Sequence, residues 1–237
     1  MNVFQTNSRI RWATVLLMGG ATLGMTLVGG CASEKPAPKP VAKAAPPPPP
    51  DEVPMAAMSG LIDVREQLVQ SKVQIQKTSK AARDLTAKQQ QPSQQRDVKT
   101  QVDQFSRELA TLEKMSGQTR TGYAGATTQA SGYFASWDTK LQNSSDALAK
   151  SGQERRSKAI ATFGKLKQQV VAVRSEFQPF MAELKESEDY IKTDSTAQGV
   201  VAATPTIQTA LGREPKILSG IDGLIAQIDS MRGGATE

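Results

Sequence analysis

Histidine is absent from this chain of 237 residues, and cysteine occurs once, at Cys31. Those two shortages exclude much chemistry. Without histidine there is no Ser-His-Asp triad, no Cys-His nucleophile pair and no zinc site of the Cys/His kind. With one cysteine there is no disulfide within the chain. Acid-base work would fall to Asp, Glu, Lys or Tyr, and no P-loop, no G-x-G-x-x-G after a strand and no G-x-S-x-G occurs. The expectation is a protein that is not an enzyme and holds no metal or cofactor. Aromatic residues are also scarce, at 5%, which points away from a thick globular core and toward an elongated helical body. Charge is mild. Lys and Arg number 29 against 23 Asp and Glu, a net +6, with the signs interleaved and no basic stripe carrying aromatics, so nucleic acid is not an expected partner.

Long apolar runs are missing too. The nearest to one is "VLLMGGATLGMTLV", Val15 to Val28, preceded by Arg9 and Arg11 with no acidic residue before them. A basic start followed by an apolar stretch too short to span a bilayer is the layout of a secretory signal. The rival, an uncleaved anchor, lacks a basic stop-transfer cluster behind it. Gly20 and Gly24 form a G-x-x-x-G, which in so short a segment loosens the signal helix and does not mark a dimer face.

The run ends in "LVGG" followed by Cys31. This resembles the lipobox of bacterial lipoproteins, in which small residues before the cysteine permit cleavage and the thiol receives a diacylglycerol. The resemblance implies cleavage after Gly30 and acylation of Cys31; Gly29 is a less usual residue at its position. A buried or free thiol fits poorly beside a proline-rich segment that can bury nothing. Two or three acyl chains hold a protein stably on a membrane where one does not, so a membrane is an expected partner. In Gram-negative lipoproteins an aspartate after the cysteine favours inner-membrane retention. Here Ala32 and Ser33 follow, which implies the periplasmic leaflet of the outer membrane.

Ala32 to Pro54 contains 9 of the 13 prolines. That density blocks helix and sheet and favours extended polyproline II. At about 3.1 Å per residue the segment spans roughly 70 Å as a stalk. Lys35, Lys39 and Lys43 are read as solvated, and "PPPPP" as spacer in preference to a ligand for an aromatic groove.

Beyond the stalk the apolar pattern steps by three and four. Leu61, Val64, Leu68, Ser71, Ile75, Thr78, Ala82 and Leu85 form one seam, ended by "QQQPSQQRD". A second runs Val98, Val102, Phe105, Leu109, Leu112, Ser116, Thr119, Tyr123, Ala126, Ala130, Tyr133 and Trp137, then Leu141 and Leu148 after a stutter. Gly117, Gly122, Gly125 and Gly132 interrupt it, each costing about 1 kcal/mol in a helix. They suit either close approach of a neighbouring helix, the favoured reading, or a hinge. Ser151 and Glu154 have capping-box spacing and put a break near Lys150. The third seam is Ala159, Phe163, Leu166, Val170, Val173, Phe177, Phe180, Leu184, Ser187 and Ile191, with Pro179 expected to bend it. The tail repeats the rhythm with Ile207, Leu211, Leu218, Ile221, Ile225 and Ile228, and Pro205 and Pro215 make it either two short helices or one bent one. The expected fold is all-α: an elongated antiparallel helical bundle of coiled-coil-like helices. The expected domains are a signal peptide at 1–30, the acylated cysteine and linker at 31–54, and the bundle at 55–237, with helices near 57–89, 95–150, 153–193 and 197–231.

Two clusters invite a functional reading. Glu183, Glu186, Glu188, Asp189 and Asp194 lie close in sequence, but Lys185 and Lys192 are interleaved and no EF-hand spacing occurs, so a solvated helix face is expected. Tyr123, Tyr133, Phe134 and Trp137 would suit either a pocket for an acyl chain or glycan, or core packing; three of the four lie on the seam, which favours packing.

The stretch from "YFASWDTKLQ" to "ESEDYIKT", with its flanking heptads, resembles a group of bacterial lipoproteins defined only as a domain of unknown function, made of long helices with a central tryptophan segment. The likeness covers roughly residues 58–231 and carries no catalytic residues. Pro179, Pro205, Pro215 and the proline stalk depart from that pattern. Residues and resemblance together give a lipid-anchored envelope protein serving as helical spacer or docking module. It would be held to the membrane through Cys31, with another envelope protein as partner and self-association open to it. The alternative is a periplasmic carrier of lipid or glycan using Tyr123, Tyr133 and Trp137.

Overall fold

The computed structural model describes residues 55–89 and 98–233, all within the compact unit Ala45–Glu237. Among these residues there are four helices and no strand: α1 (Met55–Gln89), α2 (Val98–Gln142), α3 (Asp146–Thr193) and α4 (Ala197–Gly233). At 1.5 Å per residue they run from about 52 to about 72 Å. None of them is long and apolar enough to cross a membrane.

Pairings between helices fix a ring in which every neighbour is antiparallel. The α1–α4 seam is stitched by Arg65 to Asp229 (2.6 Å), Lys72 to Asp222 (2.5 Å) and Arg83 to Glu214. Arg213 reaches Glu183 and Glu176 between α4 and α3 (3.0 and 3.5 Å), and Lys185 meets Glu113 between α3 and α2 (2.5 Å). The α1–α2 seam uses hydrogen bonds from neutral side chains instead. The Ser71 and Thr119 hydroxyls share a hydrogen bond of 3.2 Å, and Gln74 Nε2 donates to the Glu108 backbone oxygen at 3.0 Å and to its carboxylate at 2.7 Å. Thr78 Oγ1 donates to the same backbone oxygen at 3.2 Å. Buried polar groups with specific partners penalise any slip of register, because a slipped group would be desolvated and unpaired.

The core follows the 3-4 spacing. All eight positions of the first seam are buried, Ser71 and Thr78 included. In α3, Phe163, Leu166, Phe180, Leu184 and Ile191 are buried, while Val170, Val173 and Phe177 between them are half-buried against the core. In α4 the spacing holds: Ile207, Ile221 and Ile228 are buried as expected, whereas the alternate positions Leu211, Leu218 and Ile225 are each one residue off. Val200, Ala203, Ile207, Ala210, Glu214, Ile217, Ile221, Leu224, Ile228 and Met231 are buried, and Leu211, Leu218 and Ile225 sit half-buried at the edge. Two adjacent apolar pairs, Ile217-Leu218 and Leu224-Ile225, made the two registers look alike, and the charge on Glu214 masked the seam position it fills.

Pro179, Pro205 and Pro215 all lie inside helices, and of the two forms open to the tail, two short helices or one, it takes the single helix. Each proline frees the carbonyl four residues earlier; of these residues Ser175 and Val201 are exposed and Leu211 is half-buried. The break expected near Lys150 falls earlier, with α2 ending at Gln142 and α3 starting at Asp146. Ser145 occupies the N-cap with extended backbone (φ −63, ψ 152), and Ser151 lies inside the helix. Asn143, Ser144 and Ser145 are poor helix formers that favour turns. The helix expected over 95–150 is therefore two, but α2 is continuous through its glycines. The favoured close-approach reading fails for three of them: Gly117, Gly125 and Gly132 have nothing within 4 Å of where a Cβ would stand. Gly122 alone faces a neighbour, the Gln67 side chain of α1.

The contrast between fully and half-buried seam positions sets an expected outcome. Phe180→Ala should cost about 3 to 5 kcal/mol in urea unfolding, and Phe177→Ala less than half as much, because the latter side chain is already partly in water. Equal losses would show that the seam of α3 is uniformly enclosed.

Candidate functional site

The aromatic residues gather where α2 and α3 approach their connecting turn. Helical spacing aims successive residues at different neighbours. Phe134 faces α3 and meets Phe163 edge-on, with centroids 5.9 Å apart and planes at 84°. Tyr133 and Trp137, four apart on the side that α1 occupies lower down, contact each other at 5.8 Å and 65°, and Tyr133 meets Phe134 at 6.0 Å and 74°. Such edge-to-face pairs add about 0.5 to 1.5 kcal/mol beyond area burial. Phe134 is buried, while Tyr133 and Trp137 are half-buried against the core. Tyr123 also packs half-buried against the core, but ten residues down α2, about 15 Å away. The four residues singled out from the sequence are thus one cluster of three plus a separate tyrosine.

Around this cluster stand residues that carried no recognisable signal. Arg156 Nε donates to the Phe134 backbone oxygen at 3.2 Å, and its guanidinium lies 3.6 Å from Asp138. Gly152 packs against Leu141, and a Cβ there would collide with the leucine side chain. Gly152 resembles any helical glycine in sequence; only the approach of α2 to α3 brings the Leu141 side chain into the space a Cβ would take, so that a larger residue there would have to displace it. Phe163 was legible as a seam residue, yet its aromatic partner on α2 was not.

Elsewhere the chemistry is structural. Glu183 is paired with Arg213, and Glu188, itself buried, with Lys192 at 2.7 Å, so those two carboxylates are held between charges and not simply solvated. Among the described residues no group of His, Cys, Asp or Glu is placed to hold a metal ion. An open trough on α3 and α4 is lined by Thr162, Lys165, Gln168, Gln169, Gln227 and Ser230, among others, and by none of the aromatics. Cys31 and Gly30 lie outside the described residues.

No protein-family model, no curated protein and no solved structure matches the chain. The resemblance to helical lipoproteins of unknown function therefore stands on the residues quoted above alone.

Burial pushes the Tyr123 and Tyr133 phenols above their ordinary ionisation range, since the phenolate would lose solvation. The unfolded chain then releases these protons first as pH rises. The stability they contribute is whole below the usual phenol pKa and is lost as pH climbs through the folded values. Tyrosinate absorbance should show a late-ionising fraction that shrinks in Tyr123→Phe and again in Tyr133→Phe; unchanged curves would place both phenols in water. In the same cluster Phe134→Ala should destabilise by about 3 kcal/mol and Trp137→Ala by about 1 to 2, in the order of their burial.

Proposed function

We propose that the chain is a non-enzymatic lipoprotein of a bacterial cell envelope, anchored by acyl chains on Cys31, facing the periplasm and held at the outer membrane. Its helical body acts as spacer or docking module for another envelope protein. The observation that carries this reading is the order of segments: basic start, short apolar run, "LVGG" before the sole cysteine, a stalk with 9 of 13 prolines, then the helices. The body adds support of a general kind. Its aromatic side chains pack on one another and on the core, and its buried acids are matched with basic partners, an arrangement suited to holding a shape.

The carrier reading keeps one observation in its favour, the half-buried state of Tyr133 and Trp137, which leaves apolar surface for an acyl chain or a sugar face. Thermal melts with and without envelope lipid extract separate the two. A spacer melts at the same temperature in both. A carrier gains a ligand-dependent rise that disappears in Trp137→Ala.

Metabolic labelling with a fatty-acid probe tests the anchor. The unaltered protein should take up label, and Cys31→Ala should accumulate as an unlabelled precursor that keeps residues 1–30. Label persisting in Cys31→Ala, or a precursor processed as before, would contradict lipid anchoring at this residue.

A further inference from the structure

Of the seams between neighbouring helices, the one between α2 and α3 is closed at its ends and not between them. Near the connecting turn Phe134 meets Phe163 and Arg156 pairs with Asp138; towards the other end Lys185 pairs with Glu113. Among the described residues, α2 buries nothing from Glu113 to Gly125, and α3 nothing from Lys167 to Pro179. The end contacts put residue 120 of α2 level with about residue 177 of α3, so the two stretches overlap in height. Each runs about 20 Å. The apolar side chains along them, Tyr123, Val170 and Phe177, are only half-buried against the core, and Val171 is 67% exposed.

Charge marks the same stretch. Every charged residue between Glu113 and Asp138 of α2, and between Glu154 and Glu176 of α3, is basic. Three of them flank the seam. Arg120 stands one heptad from Glu113 and two from Phe134, residues by which α2 touches α3; Arg174 and Lys167 stand one and two heptads from buried Met181. All three are exposed, and among the described residues none joins an ion pair. Arg174 has beside it the neutral Gln178 amide, whose oxygen accepts from its Nε at 3.1 Å. The acids at the borders are already matched, Glu176 with Arg213 and Lys216, and Asp138 with Arg156. Where the α1–α4 and α3–α4 seams set opposite charges face to face, α2 and α3 set Arg120 against Arg174 within about one turn of each other. Like charges across a seam oppose its closure.

We propose that this stretch of the α2–α3 seam is a docking groove for an acidic amphipathic helix of another protein. The apolar stripe of that helix lies on Tyr123, Val170, Val171 and Phe177, and its carboxylates accept hydrogen bonds from Arg120, Lys167 and Arg174. The proposal rests on the docking reading above and gives it a place and a partner chemistry. A helix fits the length, since about 20 Å is three to four turns, and a groove between two helices reads apolar residues at spacings of three and four. Acid fits the charge. Carboxylates brought between Arg120 and Arg174 relieve their repulsion, so folding alone and docking make opposite demands on these residues. A flat lipid surface would touch Val171 and the basic side chains at the crests and leave half-buried Tyr123 and Phe177 out of reach.

The test is photocrosslinking with p-benzoylphenylalanine at Val171 of the full chain, in the cells that make it, with the crosslinked peptides sequenced by mass spectrometry. The expected adduct is a peptide of another protein with acidic residues around an apolar 3-4 repeat, at a yield above that of the same probe at exposed Val73 on α1. Arg174→Glu should lower the yield about tenfold, and Arg174→Lys should keep it. In the purified chain Arg174→Glu should leave the melting temperature unchanged or higher, because the introduced carboxylate faces Arg120; if melting falls, Arg120→Glu carries the yield test. A neutral or basic peptide, a peptide of this same chain, a lipid adduct, or a yield indifferent to charge reversal would overturn the groove. A higher yield at Val73 would overturn it and spare the docking reading, whereas no protein adduct at either position would overturn both.

Discussion

A helix with an apolar stripe repeating every three and four residues cannot stand alone in water, and four such stripes burying one another is the constraint on which the molecule rests. Individual helix propensity would not hold it. α2 carries four glycines and α3 and α4 carry three prolines between them, each a local penalty, yet all three helices run on through them. Residues from Phe105 and Leu112 to Phe180, Leu184, Ile207 and Ile217 are 0% exposed, and at about 1.5 to 3 kcal/mol for each large apolar side chain buried the seam outweighs those penalties. The offending residues also lie where they do least harm. Pro205 and Pro215 are exposed, and three of the glycines point to open space.

Apolar seams alone would permit sliding by a heptad. What selects one register is the polar pairing at the margins, and it differs between seams. α1 and α4 are joined by ion pairs, one of which joins buried Glu214 to Arg83, whereas α1 and α2 share hydrogen bonds among Ser71, Gln74, Thr78, Glu108 and Thr119. The Arg65–Asp229 pair holds the Asp229 carboxyl below the usual carboxylate range, through its hydrogen bond first. Its contribution is therefore present above that range and disappears as pH falls through the folded value.

The class of fold was legible because periodicity is a direct record of which side of a helix is buried. The first seam was read without error since its apolar positions stand apart from one another. The tail was misread by one residue where apolar neighbours at Ile217-Leu218 and Leu224-Ile225 satisfied two phases. The α2–α3 turn was misplaced because Ser151 and Glu154 have cap spacing, while the residues that do break the helix, Asn143 to Ser145, carry no stronger mark than several serines that do not. The candidate site was half legible. Trp137 and Tyr133 announced themselves by position, but Gly152 and Arg156 matter only through the partners that the hairpin gives them, and such partnership is not written in spacing.

The account depends most on α2 running unbroken through Gly117, Gly122, Gly125 and Gly132, since a hinge there would part the upper half of its seam, Ala126, Ala130 and Phe134, from the core below. Pulsed electron-electron spin resonance between labels at Ala110→Cys and Ser136→Cys, both exposed positions, in a Cys31→Ser background, measures this directly. A continuous helix predicts one narrow distance population near 39 Å, the rise of the intervening residues at about 1.5 Å each. A broad distribution centred well below that value would show that the helix bends or frays at its glycines, and would contradict the account.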